Sequence, residues 1–444
     1  MDNKLIQPRT LKGFRDFLPE DMRLRQQVIN IIRAIFEKYG YEPLETPTLE
    51  YDDILTGKYG EDEKLMYRFK DHGEREVAMK YDLTVPAARV IAQYNNLLAL
   101  PFKRYQIQPV WRADNTQRGR YRELWQCDAD AFGSSSNIIE AEWMCIGIEA
   151  FTALGLNNIK GMINNRKLLD VLLKEVAQCT QEEYQPIATS LDKYDKIGWG
   201  GVISKMINRN VRPSVADHIK LLLDVSGDSQ TKIEQIEQNI KDYEKGIKAI
   251  EEIKCILEYV TISGLDSNKI EFNPLIIRGL SYYTGIVWEW QSTDSSIGSL
   301  GGGGRYDNLI GSFIGQRIPS AGGSFGLERI IDILKEKHYT SYKNNIIFVC
   351  NIENSPYSIQ VTSLLRKSGI PTLQYPDNVK LDKQIKYALS KNIPLLIIAG
   401  PDEAQTQTVT LKNLQTREQQ TVQISDLIES LNSLLKKLNS NNQS

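Results

Sequence analysis

The stretch VWRADNTQRGRYRELWQCDADAFG, residues 110–133, carries the pattern that decides the fold. Within it, residues 122–132 alternate between apolar and polar side chains, which predicts a strand with one core face and one polar face. The core face holds Trp125, Cys127, Ala129 and Ala131. The polar face holds Leu124, Gln126, Asp128 and Asp130. Such a face lines a polar cavity or meets water, and this strand alone leaves both alternatives open.

The preceding segment, FKRYQIQPVWRAD (102–114), predicts a second strand that pairs with the first. Its polar face holds Arg104, Gln106, Gln108 and Arg112. The connecting loop NTQRGRYR adds Arg118, Arg120 and Arg122. Arginine binds phosphate through its planar fork of donors, whereas carboxylates recognise an ammonium group. A ligand with both a phosphate and an amine would suit this pair of strands.

Two further segments point to the same kind of site. VAMKYDLTVP (77–86) alternates like a strand, and its Asp82 and Thr84 are suited to an α-amino group. IRGLSYYTGIVWEW (277–290) reads as a strand rich in aromatic and β-branched residues. Arg278 lies at its start, and a buried arginine needs an anion.

Glycines surround two weaker signals. Arg329 follows AGGSFG at a predicted helix start, where phosphate can bind, although composition alone slightly favours an ordinary N-terminal arginine. GGGGRYD (301–307) lacks the Lys-Ser/Thr of a P-loop and the GxGxxG spacing of a dinucleotide fold.

The rest of the chain predicts several regions of different character. Residues 20–39 form an amphipathic helix capped by Gly40, and YEPLETPTLEY (41–51) is a strand that Pro43 and Pro47 confine to an edge or interface. Residues 165–265 are largely helical and contain a helical hairpin or, less favoured, a coiled-coil dimer arm. Beyond residue 345, short apolar strands alternate with helices, which predicts a small α/β domain with a mostly parallel sheet.

Composition excludes several classes of protein. The chain has 444 residues, 41% hydrophobic and 25% charged, with a formal net charge of -2, so a nucleic acid must be bound by local basic patches. Five cysteines without CxxC spacing and three distant histidines argue against a metal centre and favour a reducing compartment. The sequence has no long apolar run and no recognisable signal peptide, so we expect a cytoplasmic protein without membrane spans.

Five signatures occur in an order that resembles a known family. TPTLE, the stretch at 110–133 and GGSFGLERI are similar to the three ordered motifs of class II aminoacyl-tRNA synthetases. MKYDLTVP and IRGLSYYTG narrow the resemblance to the histidyl-tRNA synthetase family. The similarity extends from LKGFRDFLPED near the start to TVTLKNLQTRE in the last domain.

This resemblance implies an α+β catalytic domain on an antiparallel sheet, a helical insertion and a C-terminal α/β anticodon-binding domain. The implied boundaries are 1–165 and 266–340 for the catalytic domain, 166–265 for the insertion and 345–444 for the last domain. It also implies a homodimer with the first motif at its interface. The implied substrates are L-histidine, ATP with its Mg²⁺, and tRNA(His), with no protein-bound metal.

The resemblance also implies a role for each matching residue. Arg112 and Arg278 would meet the α-phosphate and the histidine, Arg329 the γ-phosphate, and Arg120 and Asp114 other parts of ATP. Asp82, Thr84 and Gln126 would bind the α-amino group, and Asp130, Tyr282 and Tyr283 the imidazole. Two positions depart from the family pattern: Ser281 replaces a common Asp, and Asp114 replaces a longer Glu.

Two alternatives predict no aminoacylation. A regulatory paralogue, similar to the synthetase-like subunit of ATP phosphoribosyltransferase, would lack the last domain. A plain RNA-binding module would leave unexplained why Asp82, Gln126 and Asp130 face the same way as Arg112.

Overall fold

The computed structural model describes residues 6–277, 282–337, 345–353 and 355–440. The chain divides into two compact units, Met1–Tyr339 and Thr340–Ser444. The predictions for Arg278 and Ser281 lie outside the described residues. The domain boundaries given above stay predictions.

The strands of the first unit form two sheets. In chain order they are β1 (Glu42–Pro43), β2 (Leu49–Tyr51), β3 (Arg68–Lys70), β4 (Glu76–Met79), β5 (Phe102–Trp111), β6 (Glu123–Phe132), β7 (Ile159–Asn165), β8 (Ile270–Phe272), β9 (Ile286–Ser292), β10 (Ser299–Arg305) and β11 (Ser320–Gly326). The larger sheet has the order β1-β5-β6-β11-β10-β9-β7-β8, and the smaller has the order β2-β4-β3. Only the two outermost pairings of the larger sheet, β1 with β5 and β7 with β8, are parallel, so the predicted antiparallel sheet is confirmed.

The β5–β6 pair is the one that the sequence predicts. Its register puts Arg104 opposite Asp130 and Gln108 opposite Gln126. Cys127 and Ala129 are buried in the main core, as the alternation requires, and the opposite face of β6 is polar. The difference between an apolar face and a polar face therefore favours this register, because a slip by one residue would exchange the two faces.

The helices of the first unit are α1 (Pro19–Lys38), α2 (Asp52–Leu55), α3 (Thr84–Tyr94), α4 (Ile138–Ala153), α5 (Arg166–Asp170), α6 (Gln181–Leu191), α7 (Tyr194–Ile207), α8 (Pro213–Leu223), α9 (Ser229–Ile240), α10 (Glu244–Ile262), α11 (Gly311–Ile314) and α12 (Leu327–Glu336). A π-helical turn, Val171–Val176, extends α5. Gly40 has φ +76° directly after α1 and donates its N–H to the Glu37 carbonyl at 3.0 Å, which confirms the predicted cap.

Helices α9 and α10 form the predicted hairpin. Ile236 and Ile250 are fully buried in the same core cluster as Trp288 of β9. The apolar face of the hairpin is therefore covered by its own chain, which argues against the coiled-coil arm.

Three predicted strands need correction. Residues 77–86 are not one strand: β4 ends at Met79, and Thr84 is the first residue of α3. The reason is local, because an Asp82 carboxylate oxygen accepts the Val85 backbone N–H at 3.0 Å and starts the helix.

The predicted strand at 277–290 begins only at Ile286 in the described residues, as β9. Residues 41–51 contain two short strands in different sheets, although Pro43 does lie on an edge strand.

The second unit has its own sheet and helices. They are β12 (Ile347–Val349), α13 (Pro356–Lys367), β13 (Thr372–Gln374), α14 (Leu381–Ser390), β14 (Leu395–Ile398), α15 (Pro401–Thr406), β15 (Thr408–Asn413), β16 (Gln419–Gln423) and α16 (Leu427–Ser440). Strand β12 is parallel to β13 and β14, whereas β15 pairs antiparallel with β14 and β16. The α/β prediction is confirmed, but the sheet is evenly mixed because residues 399–407 are too few for a parallel crossover.

Two observations concern membrane-spanning helices and disulfide bonds. Within the described ranges, no helix combines the length and apolar character needed to cross a membrane. All five cysteines are free thiols.

Candidate active site

A cavity of about 580 Å³ opens on the polar face of the larger sheet. Strands β6, β10 and β11 form its floor, and the start of α3 and the β5–β6 loop form its sides. The structure brings together most of the predicted site residues in its walls: Asp82, Thr84, Arg112, Asp114, Arg120, Gln126, Tyr282, Tyr283 and Arg329. Of the remaining two, Asp130 lies behind the wall and Arg278 lies outside the described residues.

Glycines make the floor of this cavity. They are Gly301, Gly302, Gly322, Gly323 and Gly326, on β10 and β11. A Cβ on Gly322 would lie 2.0 Å from an Asp130 carboxylate oxygen, and one on Gly304 would lie 2.7 Å from the Tyr283 ring. The glycine run is therefore a strand that keeps side chains out of the cavity, not a phosphate loop.

Backbone carbonyls orient two arginines of the cavity, Arg112 beside Tyr81 and Arg329 at the loop end. Arg112 donates its Nε–H to the Tyr81 carbonyl at 3.0 Å, and its guanidinium carbon lies 4.4 Å from the Tyr81 ring centroid. Arg329 donates to the carbonyls of Gly119 at 3.1 Å and Ser299 at 2.6 Å. Because neutral groups hold both guanidiniums, their positive charge is not cancelled by these contacts.

Arg120 lies on the loop near this end and is half exposed. Its Nε is 3.4 Å from an Asp114 carboxylate oxygen. A backbone bridge between Gln117 and Arg120 closes the loop. Asp114 and Arg120, both predicted to bind ATP, are therefore neighbours in this cavity.

Acceptors dominate the other end. One Asp82 oxygen receives the Tyr59 hydroxyl and the Val85 N–H, both at 3.0 Å, and Gln126 donates its amide to the Ser324 hydroxyl at 3.1 Å. For three buried atoms, however, no donor is found in the described part of the chain: Asp82 Oδ2, Gln126 Oε1 and Asp128 Oδ1. Leaving such acceptors unsatisfied costs roughly 1–3 kcal/mol each, so a ligand rich in N–H donors is favoured here.

Asp130 is 1% exposed and does not line the cavity. Its carboxylate lies 2.5 Å from an Arg104 nitrogen and accepts the hydroxyl of Tyr306, whose ring is part of the cavity wall. Gly322, which lines the cavity, packs against this carboxylate, and a Cβ there would lie 2.0 Å from one of its oxygens. Its predicted contact with the substrate stays a prediction.

Burial controls the ionisation of this end. It raises the pKa of Asp82 and of Asp130 above the ordinary value, although nearby arginines oppose the rise. Burial also raises the pKa of Asp128 to about 8, against the attraction of Arg104 and with a further contribution from Asp130. The pKa of Tyr282 is likewise raised well above its usual value by burial. Burial thus disfavours the charged form of these carboxyl groups, and a nearby cation would favour that form.

Sequence reasoning gave no role to several residues at this site. Tyr306, Tyr81 and Asp128 all line the cavity. Asp128 had a clear signal, since it lies on the polar face of β6 between Gln126 and Asp130. Tyr306 lies in GGGGRYD and had no predicted role, because its partner Asp130 is distant in sequence. In the described ranges, no group of three or more His, Cys, Asp and Glu side chains is arranged to hold a metal ion.

An antiparallel sheet that carries such a cavity, followed by a separate α/β unit, is the architecture of a class II aminoacyl-tRNA synthetase. One solved structure with this fold is the histidyl-tRNA synthetase of Nostoc sp. PCC 7120, with a TM-score of 0.86 and 29% identity over 97% of this chain and 100% of that chain. The family model described as histidyl-tRNA synthetase matches residues 13–330, and that of an anticodon-binding domain matches residues 345–434. The chain belongs to the histidyl-tRNA synthetase family.

Two more similar proteins bear on the alternatives. A histidine–tRNA ligase of Flavobacterium johnsoniae is 36% identical over 96% of this chain and 99% of its own length. A Bacillus halodurans protein described as an ATP phosphoribosyltransferase regulatory subunit/histidyl-tRNA synthetase has a TM-score of 0.75 at 21% identity, over 89% of this chain and 99% of that one. The second likeness is one of fold alone. The match to an anticodon-binding domain is a feature that the regulatory alternative described above would lack.

Proposed function

We propose that this chain is a histidine–tRNA ligase that activates L-histidine with ATP and transfers it to the 3′ end of tRNA(His). The observation that carries the proposal is a cavity that holds both arginines and buried acceptors without donors. Arg112, Arg120 and Arg329 line the same cavity as the acceptors of Asp82, Gln126 and Asp128. A phosphate-bearing nucleotide and an ammonium-bearing amino acid match these two kinds of group.

The first step needs no protein nucleophile. A histidine carboxylate oxygen attacks the α-phosphorus of ATP, the bond to the bridging oxygen breaks, and pyrophosphate leaves with its Mg²⁺. Positioning and stabilisation of charge at phosphorus then supply the catalysis. Arg112 would stabilise that charge from one side. Arg278 would act from the other side, a role that rests on the family resemblance.

The rest of ATP would extend along the arginine end. Arg329, oriented by the Ser299 and Gly119 carbonyls, would bind the γ-phosphate. Arg120 would hold a phosphate from the loop, and Asp114 would meet the adenine. Arg120 and Asp114, whose side chains are 3.4 Å apart, would move away from each other when ATP binds.

Histidine would occupy the acceptor end. Asp82, Thr84 and Gln126 would bind its α-ammonium group, and Tyr282, Tyr283 and Asp130 would surround its imidazole. A pocket built to hydrogen-bond ring nitrogens rejects apolar side chains of similar size by several orders of magnitude.

In the second step a ribose hydroxyl of the tRNA attacks the histidyl carbonyl and AMP leaves. We assign the anticodon-binding role to residues 345–444, in line with the matched family model. We assign the catalytic role to 1–165 and 266–340, with 166–265 as the insertion. A cytoplasmic homodimer with residues 46–50 at its interface completes the proposal.

The test is histidine-dependent exchange of pyrophosphate into ATP, run with each standard amino acid. We expect exchange with histidine only. Arg112→Ala and Arg278→Ala should each lower the rate by roughly two to three orders of magnitude while the protein stays folded. Arg118→Ala is the matched control, because Arg118 is on the same loop but pairs with Glu336 at the surface.

Two outcomes would contradict the proposal. Absence of exchange with any amino acid would support the regulatory alternative. Exchange at the wild-type rate in both Arg112→Ala and Arg278→Ala would show that these two arginines do not stabilise the α-phosphate.

A further inference from the structure

Asp128 has no role in the assignments above, yet it occupies the middle of the acceptor end. It lies on β6 between Gln126 and Asp130, is 1% exposed and lines the cavity. Ser324 is opposite it on β11. No hydrogen-bond donor from the described ranges reaches its Oδ1. Buried polar atoms normally have a hydrogen-bond partner, so this oxygen is suited to accept a hydrogen bond from a ligand in the cavity.

The number of such atoms matches one chemical group. Asp82 Oδ2, Gln126 Oε1 and Asp128 Oδ1 are the cavity-lining acceptors without a donor among the described residues. An ammonium group has three N–H donors, and primary amines of this kind bind where several acceptors converge. Gln126 and Asp128 are successive residues on one face of a strand, about 7 Å apart at Cα, so their side chains can reach a common group.

The charges around Asp128 also favour a cation. Asp82 and Asp130 are both close enough to disfavour its ionisation, and Arg104 is the basic side chain that opposes them. Arg104 is itself committed to Asp130 at 2.5 Å. A positively charged ligand would therefore offset the repulsion among these carboxylates.

We propose that Asp128 is a further substrate-binding residue, whose Oδ1 accepts an N–H of the α-ammonium group alongside Asp82 and Gln126. The inference rests on the proposed function, because histidine supplies the ammonium group. It differs from two other roles that Asp128 would otherwise have: a contact with the imidazole, or a purely structural partner of Ser324.

Three ligands separate these roles in binding experiments that need no catalysis. L-Histidine carries an ammonium group, an imidazole and a carboxylate. L-Histidinol lacks the carboxylate, and 3-(imidazol-4-yl)propionate lacks the ammonium group. Dissociation constants would be measured by calorimetry on the full chain without ATP, for the wild type, Asp128→Asn and Glu123→Gln. Glu123 is the control, because it is a carboxylate on the same strand that accepts from Trp111 at 2.8 Å, outside the cavity wall.

We expect Asp128→Asn to weaken histidine and histidinol by roughly 10- to 100-fold, as for a lost hydrogen bond to a charged group. The ligand without an ammonium group should bind the variant as well as the wild type, and Glu123→Gln should change none of the three affinities. If Asp128→Asn does not fold, Asp128→Ser serves in the same comparison.

Equal weakening of all three ligands would assign Asp128 to the imidazole or to the structure and overturn the inference. Unchanged histidine affinity would overturn it as well. Failure of the wild type to bind histidine would instead refute the proposed function, so the two failures are distinguishable.

Discussion

Replacing Gly322 by alanine is expected to damage the acceptor end of the cavity without touching a polar side chain. The new Cβ would lie 2.0 Å from an Asp130 oxygen, 2.5 Å from its Cγ and 2.7 Å from the Ala129 carbonyl. Asp130 cannot simply rotate away, because Arg104 and Tyr306 hold it.

Overpacking of this kind costs about 1–3 kcal/mol, and loss of a buried hydrogen-bonding partner adds about 1–2 kcal/mol. We therefore expect the free energy of unfolding to fall by about 2–5 kcal/mol, and the affinity for histidine to fall with it.

Urea denaturation followed by tryptophan fluorescence reports on unfolding of the first compact unit, because all 6 tryptophans lie in the first 339 residues. Gly326→Ala is the control, because the nearest atom to its added Cβ is the Leu300 carbonyl oxygen at 3.6 Å. Both glycines are on the same strand, and neither has a left-handed backbone. Equal stabilities for the two variants would refute the packing described for Asp130.

Four other predictions concern single side chains. Tyr306→Phe removes a donor from the buried Asp130, so the free energy of unfolding should fall by about 1–2 kcal/mol in urea and histidine should bind more weakly by calorimetry. Histidine binding at neutral pH should release protons, because Asp128, with a pKa of about 8, ionises when the ammonium group binds beside it. Calorimetry in two buffers of different ionisation enthalpy measures this release. Proton release that persists in Asp128→Asn would point to another group. The contribution of Asp128 to the free energy of unfolding should fall as pH rises from 3.8, its unfolded pKa, to about 8, because only the folded state keeps the proton over that range. The stability of Asp128→Asn relative to the wild type should therefore increase with pH between these values. Ile236→Ala should lower the free energy of unfolding by about 2–4 kcal/mol, and a change in dimer dissociation alone would instead favour the coiled-coil arm.

The polar face of β6 could be predicted from the sequence because apolar side chains on the core face alternate with polar side chains on the other. Gln126, Asp128 and Asp130 share that face as predicted. The sequence did not reveal that Asp130 is covered. That depends on Arg104 and Tyr306, which reach it from β5 and from the end of β10.

The errors have local or long-range physical causes. Asp82 and Thr84 fit a strand by alternation, but capping of α3 by the Asp82 carboxylate overrides it. The glycine run at 301–304 had no assigned role in the sequence analysis, because its steric partners, such as Tyr283 and Trp288, become neighbours only in the folded sheet.

The glycine floor of the cavity has an entropic consequence. Backbone that is hydrogen-bonded into a sheet has no rotamers to lose when a flat molecule settles on it, whereas a wall of long side chains would forfeit freedom on every binding event. Differences in affinity among nucleotide analogues should therefore arise at the rim, where half-exposed side chains such as Arg120 must be ordered, and hardly at all from the surface beneath the ligand.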